Sequence, residues 1–87
     1  MTFHVLARVT LRPSILDPEG KAVTHALGDL GLGAVSGVRI GKHIEMTVEA
    51  DSAAEARRVA TEACEKLLAN PVMEDFAVEA VDAVQAA

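Results

Sequence analysis

The first stretch of the chain alternates apolar and polar residues with a period of two. Its apolar residues share one parity: Phe3, Val5, Ala7, Val9 and Leu11. This alternation predicts a strand with one buried face. The residues between them, which would form the outer face, are polar except for Leu6. This exception indicates that the outer face is partly covered as well. Pro13 ends the predicted strand because proline cannot donate to a ladder.

Two helices are predicted from their start and stop signals. Asp17 is a suitable N-cap, Pro18 suits the first helical position, and Gly31 supplies a left-handed residue after the last turn. The second helix begins with the capping box at residues 52–55 and stops at Asn70-Pro71. The residues predicted to face inward, at spacings of three and four, are Val23, Ala26, Leu27 and Leu30 in the first helix and Ala56, Val59, Ala60, Ala63 and Leu67 in the second.

Three further strands complete the predicted pattern. Residues 34–40 are expected to form the second strand, with a bulge near Ser36-Gly37 because its two valines have opposite parity. Gly41-Lys42 is predicted as a two-residue hairpin turn, since glycine first favours type II′. Residues 43–50 and 73–81 are the third and last strands. Their inward-facing residues are predicted to be Ile44, Met46, Val48 and Ala50, and then Phe76, Val78 and Ala80.

The order βαββαβ predicts an α+β, ferredoxin-like fold: a four-stranded antiparallel sheet with two helices on one face. Residues 1–82 are expected to form a single domain, and residues 83–87 an Ala-rich C-terminal tail that frays. One sheet face and both sheet edges would then stay uncovered, and these are the surfaces where we expect partners to dock.

Composition points to an oligomer. The aromatic content is 2%, so the core must be built from smaller side chains and is thin. The hydrophobic content is nevertheless 51%, which is more than 87 residues can bury alone. Association between copies would cover the surplus.

Charge and cysteine content narrow the class of protein. A net charge of −5 with scattered basic residues argues against nucleic acid and against an anionic membrane surface. The single Cys64 excludes an internal disulfide, and its place beside the apolar face of a helix favours a small core residue. The chain has no signal-peptide pattern and no apolar run long enough to span a bilayer, so we expect a cytoplasmic protein.

Reactive chemistry is sparse in this sequence. His4, His25 and His43 fall on different predicted elements and there is no C-x-x-C, so no metal site is expected. The predicted sheet lacks the aromatics that stack bases in RNA-recognition domains. An anion could bind at the start of the first helix near Arg12, although Asp17 would compete for the same N–H groups. A homodimeric regulatory module that binds a small ligand stays open as an alternative, because it shares the predicted strand and helix order.

Several local motifs, taken together, resemble one family. They are residues 16–20 (Leu-Asp-Pro-Glu-Gly), Ala26-Leu27 with Leu30-Gly31, residues 38–42 (Val-Arg-Ile-Gly-Lys) and residues 64–72 (Cys-Glu-Lys-Leu-Leu-Ala-Asn-Pro-Val). In this order and spacing they are similar to the PurS family, the small subunit of the formylglycinamide ribonucleotide amidotransferase of purine biosynthesis. The resemblance covers essentially residues 3–81.

The resemblance implies a non-catalytic assembly subunit. In that family a glutaminase subunit releases ammonia, and a large synthetase subunit, which uses ATP and magnesium, converts formylglycinamide ribonucleotide to formylglycinamidine ribonucleotide. The small subunit bridges the two as a homodimer or tetramer, so that ammonia passes between their sites. No cofactor is expected in this chain, which would belong to a ligase complex without being an enzyme alone.

Eight residues at the helix and strand boundaries are the candidates for subunit docking. They are Asp17, Pro18, Gly20, Arg39, Gly41, Lys42, Asn70 and Pro71. Arg39 and Lys42 are the stronger candidates, because neither is required by the turn or strand it occupies. Gly20 is unusual because glycine in a helix interior costs roughly 1 kcal/mol against alanine. It suggests that another group approaches the backbone there.

Overall fold

The structure, a computed structural model, describes residues 1–84. Its elements in chain order are β1 (Thr2–Leu11), α1 (Pro18–Asp29), β2 (Gly41–Glu49), α2 (Ala53–Ala63), a π-helical turn (Cys64–Leu68) and β3 (Glu74–Ala83). The strands form one sheet in the order β2-β1-β3, and β1 is antiparallel to both neighbours.

The predicted four-stranded sheet is wrong: the described part of the chain has three strands. Residues 34–40, the predicted second strand, are irregular and run beside α1 instead. Side chains of the α1 segment take the backbone donors that a neighbouring strand would need. The Val38 N–H donates to Thr24 Oγ1 at 3.1 Å, and the Ile40 N–H donates to a carboxylate oxygen of Asp17 at 2.7 Å. Gly37, with φ of 70°, departs further from an extended strand.

The predicted hairpin at Gly41-Lys42 is also wrong, because no strand precedes it. These residues begin β2 and pair with Thr10 and Val9 of β1. Glycine is required at position 41 for a different reason: a Cβ there would lie 2.8 Å from the Val9 carbonyl oxygen and 2.9 Å from Thr10 Cγ2.

The core lies between one face of the sheet and α2. Its buried apolar residues are Phe3, Val5, Ala7, Val9, Val48, Ala56, Ala60, Cys64 and Ala69. The predicted parities of β1 and β2 are therefore confirmed, and so is the Ser52 cap, whose Oγ accepts from the Glu55 N–H at 3.1 Å. The molecule is thin, with principal extents of 50 × 33 × 14 Å, as expected for a sheet backed by a single helix.

An irregularity in β3 changes the predicted faces of that strand. The register with β1 shifts between Leu6 and Ala7, so Val78 lies opposite Ala7 but Ala80 lies opposite Leu6. Ala80 therefore leaves the face that Phe76 and Val78 share, and Val81 packs against the core instead. β3 continues to Ala83, and the Val84 N–H donates to the Thr2 carbonyl at 2.8 Å. Residues 85–87 of the predicted tail lie outside the described residues.

The caps predicted for α1 are confirmed. Asp17 accepts from the Gly20 N–H at 2.9 Å, and Pro18 occupies the first turn. Gly31 has φ of 84° and donates to the Gly28 carbonyl, while Leu32 donates to the Leu27 carbonyl. These two bonds form a Schellman motif, which satisfies carbonyls at the end of the helix.

The predicted packing of α1 on the sheet is wrong. Within residues 1–84, α2 packs against all three strands, whereas α1 makes no extensive contact with any of them. The apolar face of α1 is therefore open, and Leu30 is 76% exposed. The Cα radius of gyration is 16.6 Å, against about 12 Å for a compact domain of this length. We call α1 together with residues 30–40 the arm.

The helices in the described part of the chain are too short and too polar to cross a bilayer.

Candidate functional site

One end of the sheet collects the predicted docking residues. At this end β1 finishes while β2 and β3 begin, and we call it the boundary end (residues 10–12, 41–42 and 70–75). Gly41, Lys42, Asn70 and Pro71 lie within it. Asp17 directly precedes the arm, and Pro18, Gly20 and Arg39 belong to it; we call these four residues the root of the arm. Arg39 bonds the root to the boundary end through the Arg12 carbonyl. All eight candidates are thus brought to one region, although they span more than fifty positions in sequence.

Asp17 fixes the root of the arm. The residue is 5% exposed, and its two carboxylate oxygens accept from the N–H groups of Gly20 and Ile40. The hydrogen bond from Gly20 is the largest cause of a lowered pKa for Asp17, and the bond from Ile40 is the next. The nearby positive charge of Arg39 lowers the pKa of Asp17 further. The carboxylate is therefore ionised at neutral pH, and it already takes the Gly20 N–H, one of the donors that an anion at this helix start would need.

Gly20 confirms the expectation of a close backbone approach. The carbonyl oxygen of Val38 lies where a Cβ on Gly20 would be, and the Asp17 carboxylate would lie 2.7 Å from the same Cβ. Thr24 adds a further tie, because its hydroxyl donates to the Gly20 carbonyl at 2.9 Å and accepts from Val38. Only glycine lets residues 38–40 lie this close to the first turn of α1.

Arg12 joins the arm to the turn that precedes β3. Its Nη2 donates to the Pro71 carbonyl at 2.6 Å, and its Nε lies 3.3 Å from Asp75 Oδ1. Its own carbonyl accepts from Arg39 Nη2 at 2.9 Å. Arg39, a strong candidate for docking, therefore has a structural contact as well.

Glu74 organises the turn at Asn70. One of its carboxylate oxygens accepts from the Asn70 N–H at 2.8 Å, and the other lies 3.8 Å from Lys42 Nζ. The Glu74 side chain is 14% exposed, whereas the Lys42 side chain is 62% exposed and reaches into solvent. Asn70 Oδ1 in turn accepts from the Val72 N–H at 2.9 Å. The turn is therefore held by side chains on both of its flanks.

The remaining polar groups offer little chemistry. Burial, followed by the charge of Glu65, raises the pKa of the Cys64 thiol, so it is protonated at neutral pH and is a core side chain. On the open sheet face, His4 and His43 each lie about 4 Å from the same oxygen of Glu45. Among the described residues, no three His, Cys, Asp or Glu side chains are placed to hold a metal ion.

Comparison with known proteins identifies the family. The family profile described as PurS, phosphoribosylformylglycinamidine (FGAM) synthase, matches residues 4–82. This chain belongs to the PurS family. It is 49% identical over 78 residues to the Synechocystis phosphoribosylformylglycinamidine synthase subunit PurS, covering 90% of this chain and 78% of that relative.

Solved PurS structures have the same fold. PurS of Thermus thermophilus superposes with a TM-score of 0.88 at 39% identity, covering 98% of this chain and all of the other. A chain in the PurLQS structure of Thermotoga maritima superposes with a TM-score of 0.84 at 33% identity, covering 91% and 96% of the two chains. PurS chains are thus known both alone and within an assembly.

Two organising residues were missed by the sequence analysis. The sequence suggests Arg12 only as a neighbour of a possible anion site, and Glu74 is not among the predicted site residues. Arg12 bonds to a backbone carbonyl 59 positions away, which no local pattern reveals. Glu74 lies four residues after Asn70 and caps its N–H, so the Asn-Pro-x-x-Glu spacing was a usable local signal.

Proposed function

We propose that this PurS-family chain is a non-catalytic assembly subunit that holds a glutaminase subunit and an ATP-dependent synthetase subunit together for ammonia transfer. The observation that carries the proposal is the match of residues 4–82 to a family with a member in the PurLQS assembly. The polar groups of the boundary end support it, because they bond to backbone atoms or to one another and hold a shape. ATP and magnesium act in the synthetase subunit under this proposal.

A homodimer is the unit that we propose for this function. The arm carries a stripe of apolar side chains that its own sheet does not cover: Val23 is 37% exposed, Leu30 76% and Leu32 51%. A second copy presents the same stripe, so a twofold arrangement covers both arms with one self-complementary contact. Burial of apolar surface of this kind is the main favourable term in association. The surplus hydrophobic content of the sequence is explained in the same way.

Reconstitution of the complex tests the assembly function. The chain is mixed with the glutaminase and synthetase subunits from the same organism, and product formation is measured with glutamine and, separately, with ammonium salt as nitrogen donor. We expect glutamine-dependent turnover to require the chain, and ammonium-dependent turnover to proceed without it. Full glutamine-dependent turnover in its absence would overturn the proposal, as would turnover by the purified chain alone.

A further inference from the structure

The outer edge of β2 has no strand beside it. In the described part of the chain, β1 is the only strand that pairs with β2. The Ala50 N–H donates to the Met1 carbonyl of the β1 side at 2.9 Å, and the direction of backbone groups alternates along a strand. Residues of the same parity as Ala50 therefore bond to β1, whereas His43, Glu45 and Thr47 direct their N–H and C=O groups outward. An added strand could pair with these groups.

The other edge of the sheet, at β3, is obstructed. Val78 lies opposite Ala7, next to the point where the register with β1 shifts. Its carbonyl accepts from Arg57 Nη1 of α2 at 3.0 Å. An irregular strand whose backbone is bonded by a side chain is poorly suited to pair with a further strand. The nine residues of β2, in contrast, pair with β1 in one unbroken register and contain no proline. β2 is therefore the edge that can take a partner strand.

Two copies of β2 match each other when they run antiparallel about a twofold axis at Ile44. His43 then lies opposite Glu45 of the second copy, and the same pair recurs on the other side of the axis. Ile44 meets its own counterpart on the half-buried, apolar face of the strand. A register centred on Glu45 would place two carboxylates directly opposite each other, which is destabilising. A register centred on Met46 would leave each Glu45 opposite Thr47.

The contacts of His43 within its own chain do not conflict with this pairing. His43 Nε2 lies 3.9 Å from Glu45 Oε1, which is longer than a hydrogen bond, and the two side chains are 66% and 61% exposed. A cross-strand neighbour would add to this weak contact. The backbone supplies the ladder, and the two charges select its register. Because the charge pattern is matched by its own twofold copy, the strand that fits this edge is β2 itself.

From this geometry we propose that the outer edge of β2 is a self-association surface, where β2 of a second copy extends the three-stranded sheet to six strands. His43 and Glu45 of the second copy exchange backbone hydrogen bonds, because both direct these groups outward. This inference goes beyond the homodimer proposed above, whose contact is the arm. The arm and β2 are separate elements, so a chain that uses both contacts forms a four-copy assembly, in which two pairs join edge to edge.

A charge reversal with a control in the same chain tests the edge. His43→Glu places two carboxylates opposite each other on both sides of the axis, so we expect it to weaken the joining of pairs by about ten-fold or more. His4→Glu is the matched control, because His4 lies 4.0 Å from the same oxygen of Glu45 but belongs to the central strand. It should assemble like the wild type. Mass is measured by light scattering over a concentration series, and thermal unfolding reports folding.

Two further variants test the register. The double variant His43→Glu/Glu45→His exchanges the charges and should restore the association that His43→Glu loses. Ile44→Cys should cross-link two copies under mild oxidation, because the side chains at the axis lie directly opposite each other. Met46→Cys should not cross-link, since the two residues would lie about 13 Å apart along the strands. Cys64 is buried and does not compete for the disulfide.

The outcomes separate this surface from the other proposals. Equal masses of His43→Glu and the wild type at every concentration would overturn the edge contact. Cross-linking of Met46→Cys in place of Ile44→Cys, or a double variant as weak as His43→Glu, would overturn the pairing of His43 with Glu45. A His43→Glu chain that keeps its mass but no longer binds the enzyme subunits would overturn the proposal by assigning the edge to an enzyme. The assembly function itself is contradicted only by glutamine-dependent turnover without the chain or by turnover of the chain alone.

Discussion

The carboxylate of Asp17 accepts a hydrogen bond from the Ile40 N–H at 2.7 Å, across 23 positions of sequence. Ile40 directly precedes β2, so this bond ties the start of α1 to the start of that strand. The same side chain caps α1 through Gly20. A single buried side chain therefore sets where the arm leaves the sheet.

Asp17→Asn is expected to lower the thermal midpoint by several degrees at pH 7. Asparagine offers one acceptor oxygen where the carboxylate offers two, so one of the two N–H groups loses its partner. Because folding lowers the pKa of Asp17, its contribution to stability is complete above the unfolded value of about 4 and is lost as the pH falls through the lower folded value.

The midpoints of wild type and variant should therefore converge below pH 4. Measuring both from pH 7 to pH 2 isolates Asp17 from the other acids, since Glu55 and Glu62 also have lowered pKa values but are common to both proteins. A difference that stays constant over this range would contradict the role assigned to the carboxylate.

Gly20→Ala is expected to destabilise the protein by about 1–3 kcal/mol, although alanine is the better helix former. The added methyl group meets the Val38 carbonyl and the Asp17 carboxylate. Gly28→Ala is the control within the same helix, because a Cβ there meets nothing within 4 Å. That change should stabilise by about 0.5–1 kcal/mol. The free energy of unfolding of both variants is measured with denaturant. Equal effects of the two substitutions would show that the close approach of Val38 does not restrict the residue at position 20.

Arg12→Ala is expected to cost about 1 kcal/mol, through loss of the bonds to Pro71 and Asp75. Arg8→Ala is the matched control. Arg8 lies 3.6 Å from Glu79 on the open sheet face with both side chains about half exposed, and such pairs contribute little. The control should stay within about 0.5 kcal/mol of wild type. The comparison is made by chemical denaturation, and a larger loss for Arg8→Ala would contradict the role of Arg12.

Leu30→Glu is expected to weaken self-association by ten-fold or more, because it places a charge on the open apolar stripe of the arm. His25→Glu changes the polar side of the same helix and serves as its control. Light scattering over a concentration series reports the mass of each variant. A Leu30→Glu chain that dimerises like the wild type would show that another surface joins the copies.

Much of the local structure could be predicted because its causes are local. The alternation in β1, the Asp17 and Ser52 caps and the left-handed Gly31 all depend on neighbours a few residues away. The close approach at Gly20 was also foreseeable, since a glycine in a first turn has a cost without local benefit. The sequence did not reveal that Val38 is the residue whose carbonyl approaches Gly20.

The features that were predicted wrongly have causes at a distance. Residues 34–40 have the composition of a strand, but Thr24 and Asp17 capture their N–H groups from 14 and 23 positions away. The helical period predicts that Leu67 faces inward, but the π-helical turn at Cys64–Leu68 interrupts that period. The candidate docking residues were chosen because they lie at the starts and ends of predicted helices and strands. Their meeting at one end of the sheet depends on strand pairing, which the local patterns did not contain.

The projecting arm has a consequence for abundance in the cell. In the proposed homodimer a second copy covers the apolar helix, so the chain would become more stable as its concentration rises, by mass action. Scarce or surplus single copies are left with that helix open, and they are the form most available to proteases. Under the same proposal, unpaired copies would be degraded first and paired copies would persist.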